Sequence, residues 1–131
     1  MKTILIIEDD IDLREGISFS LQSEGYQILT AEKLEDGWKS ILKENPDLIL
    51  LDCNLPDGTG FDLCIRVKEH MQVPILMLTA RDTEMDEVKA LELGMDDFMS
   101  KPFSLAVLKA RIKTSLKGRK ECPIIFKWSN D

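Results

Sequence analysis

Histidine is almost absent: His70 is the only one in 131 residues. A serine or cysteine nucleophile served by an imidazole base would have to work through it. Its polar setting, Lys68-Glu69-His70-Met71-Gln72, reads instead as a surface or packing position at a helix end. Cysteine is scarce too. Cys53, Cys64 and Cys122 are odd in number and lack a metal-ligand spacing, so reduced thiols are expected rather than a disulfide framework or a zinc site. No apolar run exceeds four residues, far short of the ~20 that a membrane-crossing helix needs. No leader of charged, apolar and small-residue regions precedes the first strand-like run, so a cytoplasmic address is expected. Positive charge is in deficit, with 17 Lys and Arg against 24 Asp and Glu and a net charge of −7. That argues against a grip on nucleic acid by this domain, because phosphates need cations. It leaves room for a DNA-binding domain elsewhere in a longer protein.

What remains is ordinary for a globular chain. Apolar residues make up 44% of it, and 131 residues suit one domain with a real core. Ile4-Leu5-Ile6-Ile7, Leu48-Ile49-Leu50-Leu51 and Ile75-Leu76-Met77-Leu78 are apolar throughout. Runs this short read as strands buried on both faces. Residues 27–31 and 97–100 add two weaker strands. Helical patterns fill the intervals. Leu13, Ile17 and Leu21 share one face, with Asp10 or Asp12 to cap the start and Gly25 to close the end. Leu34, Trp38, Ile41 and Leu42 form a second stripe, stopped by Asn45-Pro46. Phe61, Cys64, Ile65 and Lys68 mark a third helix. A fourth, with the sparse stripe Met85, Val88 and Leu91, opens at Asp82 or Thr83 and closes at Gly94. Leu105, Leu108, Ile112 and Leu116 define the fifth. Five alternations of strand and helix imply a parallel sheet covered on both faces. After Leu116 the polar stretch 117–121 reads as a linker, and Cys122 to Trp128 resumes a strand-like character. Residues 1–118 are therefore expected to form one domain, and 119–131 a linker with the opening strand of a truncated second domain.

In such sheets ligands bind at the carboxyl ends of the strands, where the strand order reverses. Every abrupt polar stop lies at such an end: Glu8-Asp9, Asp52, Thr79 and Lys101. Three carboxylates gathered there would repel one another and drive a proton onto one of them, unless a divalent cation removes the conflict. A hard oxygen set of this kind suits Mg²⁺. Thr79 alone reads equally as a strand-end cap, and Lys101 alone as a solvated cation. Placed together, ammonium, hydroxyl and metal would hold the equatorial oxygens of a phosphoryl group, with Asp52 as the nucleophile of an aspartyl phosphate.

Six motifs occur in order: the acidic pair in Ile7-Glu8-Asp9-Asp10, Asp-Leu-Ile-Leu-Leu-Asp at 47–52, Leu-Pro-Asp-Gly at 55–58, Leu-Thr-Ala-Arg at 78–81, Gly-Met-Asp-Asp-Phe at 94–98 and Lys-Pro-Phe at 101–103. At this spacing the chain resembles the receiver domain of two-component response regulators from residue 2 to about 118. The resemblance implies a flavodoxin-like, receiver-like α/β fold: a doubly wound sheet of five parallel strands in the order 2-1-3-4-5, with five helices. It implies that Asp52 takes a phosphoryl group from a sensor histidine kinase. It further implies that Glu8, Asp9, Asp52 and the backbone carbonyl of Asn54 hold Mg²⁺. Thr79 and Lys101 match the switch hydroxyl and the invariant lysine. The Lys101-Pro102 bond is expected to be cis, an arrangement open mainly to proline. Phe98 matches an aromatic that swings inward when Thr79 moves, although the residue pattern alone also allows a core role.

Asp96-Asp97 and Ala110-Arg111-Ile112-Lys113 resemble a subfamily that dimerises on phosphorylation through its fourth helix, fifth strand and fifth helix. That subfamily regulates transcription through a winged-helix DNA-binding domain. Lys89 fits the basic side of one interface pair, but Val107 stands where a glutamate is common, so dimerisation is expected to be weaker or differently registered. Asp96 or Asp97 with Arg111 remain for it. The implied partners are a sensor histidine kinase, a second copy of the chain, and DNA only through an output domain absent from this chain; no membrane is implied. Other readings compete. One is a stand-alone receiver acting by protein contact. Another is a phosphatase with an aspartyl nucleophile, faintly echoed by Asp52 to Thr59, but its second acid lies five residues on rather than two. A flavodoxin-type flavin domain is opposed by Glu8-Asp9-Asp10, which would repel the flavin phosphate. On the leading reading the chain is not an enzyme beyond self-catalysed chemistry at Asp52.

Overall fold

The computed structural model describes residues 1–79, 88, 92, 97–101 and 103–125, with 54, 100 and 118–125 described by backbone alone. The elements in chain order are β1 (Thr3–Ile7), α1 (Ile11–Ser23), β2 (Gln27–Ala31), α2 (Leu34–Glu44), β3 (Leu48–Asp52), β4 (Asn54–Leu55), β5 (Gly58–Thr59), α3 (Gly60–His70), β6 (Ile75–Thr79), β7 (Asp97–Ser100) and a C-terminal helix (Leu105–Ile125). The main sheet has the order β2-β1-β3-β6-β7, and every neighbouring pair is parallel. Its five strands, counted along the chain, thus stand in the expected order 2-1-3-4-5. β4 and β5 are a separate two-stranded antiparallel ribbon.

The apolar tetrads are continuous because both faces are covered. Leu5, Ile7, Ile49, Leu51, Ile75 and Met77 point to one side, where Leu34 and Ile41 of α2 and Phe61, Cys64 and Val67 of α3 pack on them. Their alternating neighbours Ile4, Ile6, Leu48, Leu50, Leu76 and Leu78 face Ile17 and Leu21 of α1 and Leu108, Ile112 and Leu116 of the C-terminal helix. Period-two alternation in a strand places successive side chains on opposite faces, so each tetrad serves two cores.

Helix ends follow local chemistry. The Asp10 side chain accepts from the amides of Asp12 and Leu13 and starts α1. Gly25, at φ 97°, turns the chain out of it. Asn45 takes the left-handed conformation that closes α2 before Pro46. The start of α2 was not legible in the same way. Its N-cap residue, Lys33, makes no side-chain cap. Asp57, more than twenty residues on, supplies it: Oδ1 accepts from Leu34 N at 2.8 Å and Oδ2 from Glu35 N at 3.1 Å. The Leu34 amide first, then that of Glu35, holds the Asp57 carboxyl below the usual carboxylate range. The cap is therefore present above that range and is lost as pH falls through the lowered pKa.

Some expectations need correction. Leu42 is 57% exposed, and α2 buries Gly37 in its place, against Ile7. In α3 the buried stripe is Gly60, Leu63, Cys64 and Val67 flanked by Phe61, while Ile65 faces solvent. The helix is phased from Gly60, which presses on the end of β3, and this turns Ile65 outward. Leu105 is part-exposed at the start of the C-terminal helix. That helix runs on through Ile125, so the stretch read as a linker is helical up to that point. Lys117, Arg119, Lys120 and Glu121 are good helix formers, against which Gly118 costs about 1 kcal/mol and Pro123 about 3 kcal/mol. The remainder of the expected opening strand, 126–128, and the last three residues lie outside the described residues. So does the expected fourth helix, apart from Val88 and Glu92, which are helical.

Candidate functional site

β1 lies between β2 and β3, so the chain leaves β1 in one direction and returns on its other side at β3. Helices on opposite faces diverge at such a reversal and leave a crevice at the carboxyl ends. Glu8 and Asp9 follow β1 directly, and Asp52 ends β3. Each of the three offers a carboxylate oxygen, and these atoms lie within 4.8 Å of one another. Glu8 and Asp52 are buried, 1% and 6% exposed, while Asp9 is open to solvent. This acidic cluster could bind a metal ion.

Lys101 reaches in from beyond β7. Its ammonium stands 2.9 Å from Glu8 Oε1 and 3.5 Å from Asp52 Oδ2. The Lys101 amide donates to the Thr79 carbonyl at 2.6 Å, which ties the β7 exit to the end of β6. Thr79 is fully buried, and Cys53 N donates to Leu78 O at 2.9 Å, holding the chain after Asp52 to the same strand. The four polar strand ends expected to converge are thus joined in one place.

Burial raises the Glu8 carboxyl to about 7, with the nearby Asp52 charge adding to the effect. The hydrogen bonds from Lys101 and the Asp10 amide only partly oppose it. Desolvation pulls Lys101 down, but its hydrogen bond to Glu8 and the Asp52 charge carry it above its ordinary value. In the folded chain Glu8 therefore keeps a proton to higher pH than in the unfolded one. Its contribution to stability is fully present below the usual carboxylate range and is lost as pH rises through about 7. A cation must displace that proton. Calorimetric titration of the cluster with a divalent cation is accordingly expected to show affinity rising between about pH 6 and 8, with proton release on binding. Glu8→Gln should flatten the profile, and an unchanged profile in that variant would remove Glu8 from the account.

The Glu8 backbone is also fixed. Its amide donates to Ala31 O at 3.0 Å, and Arg14 Nη1 donates to its carbonyl at 2.8 Å. Arg14 is itself buried and faces Glu32 at 3.6 Å. Sequence reading missed Arg14, because one arginine in the first turns of a helix gives no sign of which carbonyl it reaches. It also missed Gly60: a Cβ there would meet the Asp52 carbonyl oxygen at 2.5 Å.

Other expected site residues are placed as follows. Asn54 lies in the β4–β5 ribbon opposite Thr59. Phe98 is half-buried on β7 opposite Met77, against the core under α2 and α3. Asp97 and Arg111 form an ion pair within one chain at 2.5 Å. Val107 is exposed, and Lys89 and Asp96 lie outside the described residues. His70 is exposed and its ring meets that of Trp38 in a T-shaped contact, as a surface or packing position requires. No helix among the described residues is long and apolar enough to cross a membrane.

Comparison with known proteins places this geometry. Residues 4–113 match the family described as response regulator receiver domain. Transcriptional regulatory protein AfsQ1 of Streptomyces coelicolor is 43% identical over 122 residues, which is 92% of this chain and 54% of that protein. The chain thus spans about half the length of that curated relative. Among solved structures, a two-component response regulator from Clostridium difficile superposes with a TM-score of 0.87 at 32% identity, covering 89% of this chain and 97% of that one. The BeF3-activated N-terminal receiver domain of RstA from Klebsiella pneumoniae gives 0.85 at 32% identity, covering 88% and 99%.

Proposed function

The chain belongs to the response regulator receiver domain family, a signalling rather than a classical enzymatic domain, and from that premise we propose that Asp52 is its phosphoacceptor. The observation that carries this is the meeting of Glu8, Asp9 and Asp52 within 4.8 Å, with the Lys101 ammonium 3.5 Å from Asp52. Membership of the family supports a sensor histidine kinase as the donor. The Asp52 carboxylate oxygen attacks the phosphorus of a phosphohistidine. An O–P bond forms, the N–P bond breaks, and the imidazole departs with the bonding electrons.

Glu8, Asp9, Asp52 and the backbone carbonyl of Asn54 are the groups we assign to a Mg²⁺ ion. When bound, such an ion supplies positive charge against the phosphoryl oxygens. Lys101, between Glu8 and Asp52, turns its ammonium to the phosphoryl group once Asp52 is phosphorylated. The Thr79 hydroxyl donates to another phosphoryl oxygen, and Phe98, on the adjacent strand, follows it inward. These movements reach β7 and the C-terminal helix, whose face we propose as the contact with a second copy. Acetyl phosphate with Mg²⁺ should phosphorylate the chain once, as read by intact-protein mass spectrometry. Sustained turnover of phosphoester without an adduct would favour the phosphatase reading instead.

Residues 1–118 are the receiver unit on this reading. A DNA-binding output beyond residue 131 is supported by a relative named as a transcriptional regulator that is nearly twice as long as the matched region. The Asp97–Arg111 pair closes within one chain, so a dimer must open it or work beside it. Beryllofluoride, as a phosphoryl mimic, is expected to produce dimers. A monomer by light scattering at high concentration would count against this face as the output.

A further inference from the structure

Two loops carry the proposed metal ligands: the one after β1, with Glu8 and Asp9, and the one after β3, from Asp52 to Thr59. Both are tied to the same short segment, residues 31–35, between β2 and α2. Ala31 O accepts the Glu8 amide at 3.0 Å. On the other loop, Asp57 grips the Leu34 and Glu35 amides at 2.8 and 3.1 Å. Apolar contact reinforces that grip. Leu55 is buried in the same cluster as Leu34, and a Cβ on Gly58 would meet Leu34 Cδ1 at 2.9 Å. The loop is itself closed by the Asn54–Leu55/Gly58–Thr59 ribbon and by Gly60 N donating to Cys53 O at 2.7 Å. It is therefore held as one piece, and Asp57 is the polar link that ties it to the start of α2, beside the Cys53 N–Leu78 O bond that holds its beginning to β6.

We infer that Asp57 is a positioning residue of the cation site: by capping α2 across the fold it holds the loop after Asp52 in register with the acids after β1. The inference rests on the proposed Mg²⁺ reading of that cluster. Asp57 touches no ligand. It acts by fixing the backbone that presents Asp52 and Asn54 relative to Glu8 and Asp9. A helix cap with only a stabilising role would have no reason to be supplied from this loop, since a Ser, Thr, Asp or Asn at position 33 would cap α2 locally. Here Lys33 occupies that position and makes no cap.

The test is calorimetric titration of the full chain with Mg²⁺, together with thermal unfolding. Groups that orient metal ligands typically change affinity by 10- to 100-fold when removed. Asp57→Ala is expected to weaken Mg²⁺ binding about tenfold. Asp57→Asn keeps one of the two capping oxygens and should fall between the alanine variant and the unmodified chain. Asp57→Ser, likewise capping through one oxygen, should also fall between them and serves if the alanine variant does not fold. A lowered melting temperature with unchanged Mg²⁺ affinity in Asp57→Ala, or in Asp57→Ser, would overturn the inference and leave a simple cap. Absence of saturable Mg²⁺ binding by the unmodified chain would overturn the metal reading itself, and the inference with it.

Discussion

Asp52→Asn should abolish phosphorylation by acetyl phosphate with Mg²⁺, leaving no phosphoryl adduct in intact-protein mass spectrometry. The carboxylate is the only part of residue 52 able to form an acyl phosphate, and an amide of the same shape is not a competent nucleophile at neutral pH. The fold should survive. Lys101 keeps its closer partner, Glu8, at 2.9 Å, and one negative charge leaves a crowded buried cluster. Thermal unfolding without metal is therefore expected to show stability equal to or above that of the unmodified chain. The same adduct on the variant would move the acceptor elsewhere. A large loss of stability would mean that Asp52 is held chiefly as a structural ion-pair partner.

The second large effect concerns Gly60→Ala. Gly60 is the first residue of α3, where alanine would ordinarily gain about 1 kcal/mol through helix propensity. The added Cβ would stand 2.5 Å from the Asp52 carbonyl oxygen and 3.0 Å from Leu51 Cγ and Met77 Cε. The first of these is backbone at the carboxyl end of the central strand, β3, and cannot swing aside. Overpacking of this kind costs about 1–3 kcal/mol. We expect the steric term to win, with a net loss of about 1 kcal/mol in urea unfolding. Because the backbone pressed upon belongs to Asp52, labelling should slow as well as stability fall. Wild-type stability with a normal labelling rate would show that the start of α3 can shift without disturbing the end of β3.

Much of this was readable in the chain itself. The tetrads ending at Ile7, Leu51 and Leu78 are strands because β-branched and aliphatic residues in short runs must be covered on both faces, and α1 follows from Leu13, Ile17 and Leu21 with Asp10 at its cap. The helical stripes were less secure. Ile65 and Leu42 satisfy a helical period, but a few degrees of rotation decide whether such a flanking residue meets the sheet or water. The roles of Arg14, Asp57 and Gly60 were not legible for a different reason, although Asp57 stands in the Leu-Pro-Asp-Gly motif. Their partners, Glu8 O, the Leu34 and Glu35 amides and Asp52 O, are backbone atoms, and backbone atoms leave no trace in the order of side chains.

By itself, then, the sequence determined a doubly wound parallel sheet and the chemical identity of its polar strand ends, because periodicity and abrupt changes of polarity are local properties. The tertiary structure alone decided which of those ends touch. It set Lys101 on Glu8 more closely than on Asp52, and it buried Glu8 enough to raise its carboxyl to about 7. It also braced both acidic loops on residues 31–35. Distances, desolvation and backbone partners depend on where the strands lie in the sheet, and that arrangement exists only once β3 has come to lie beside β1.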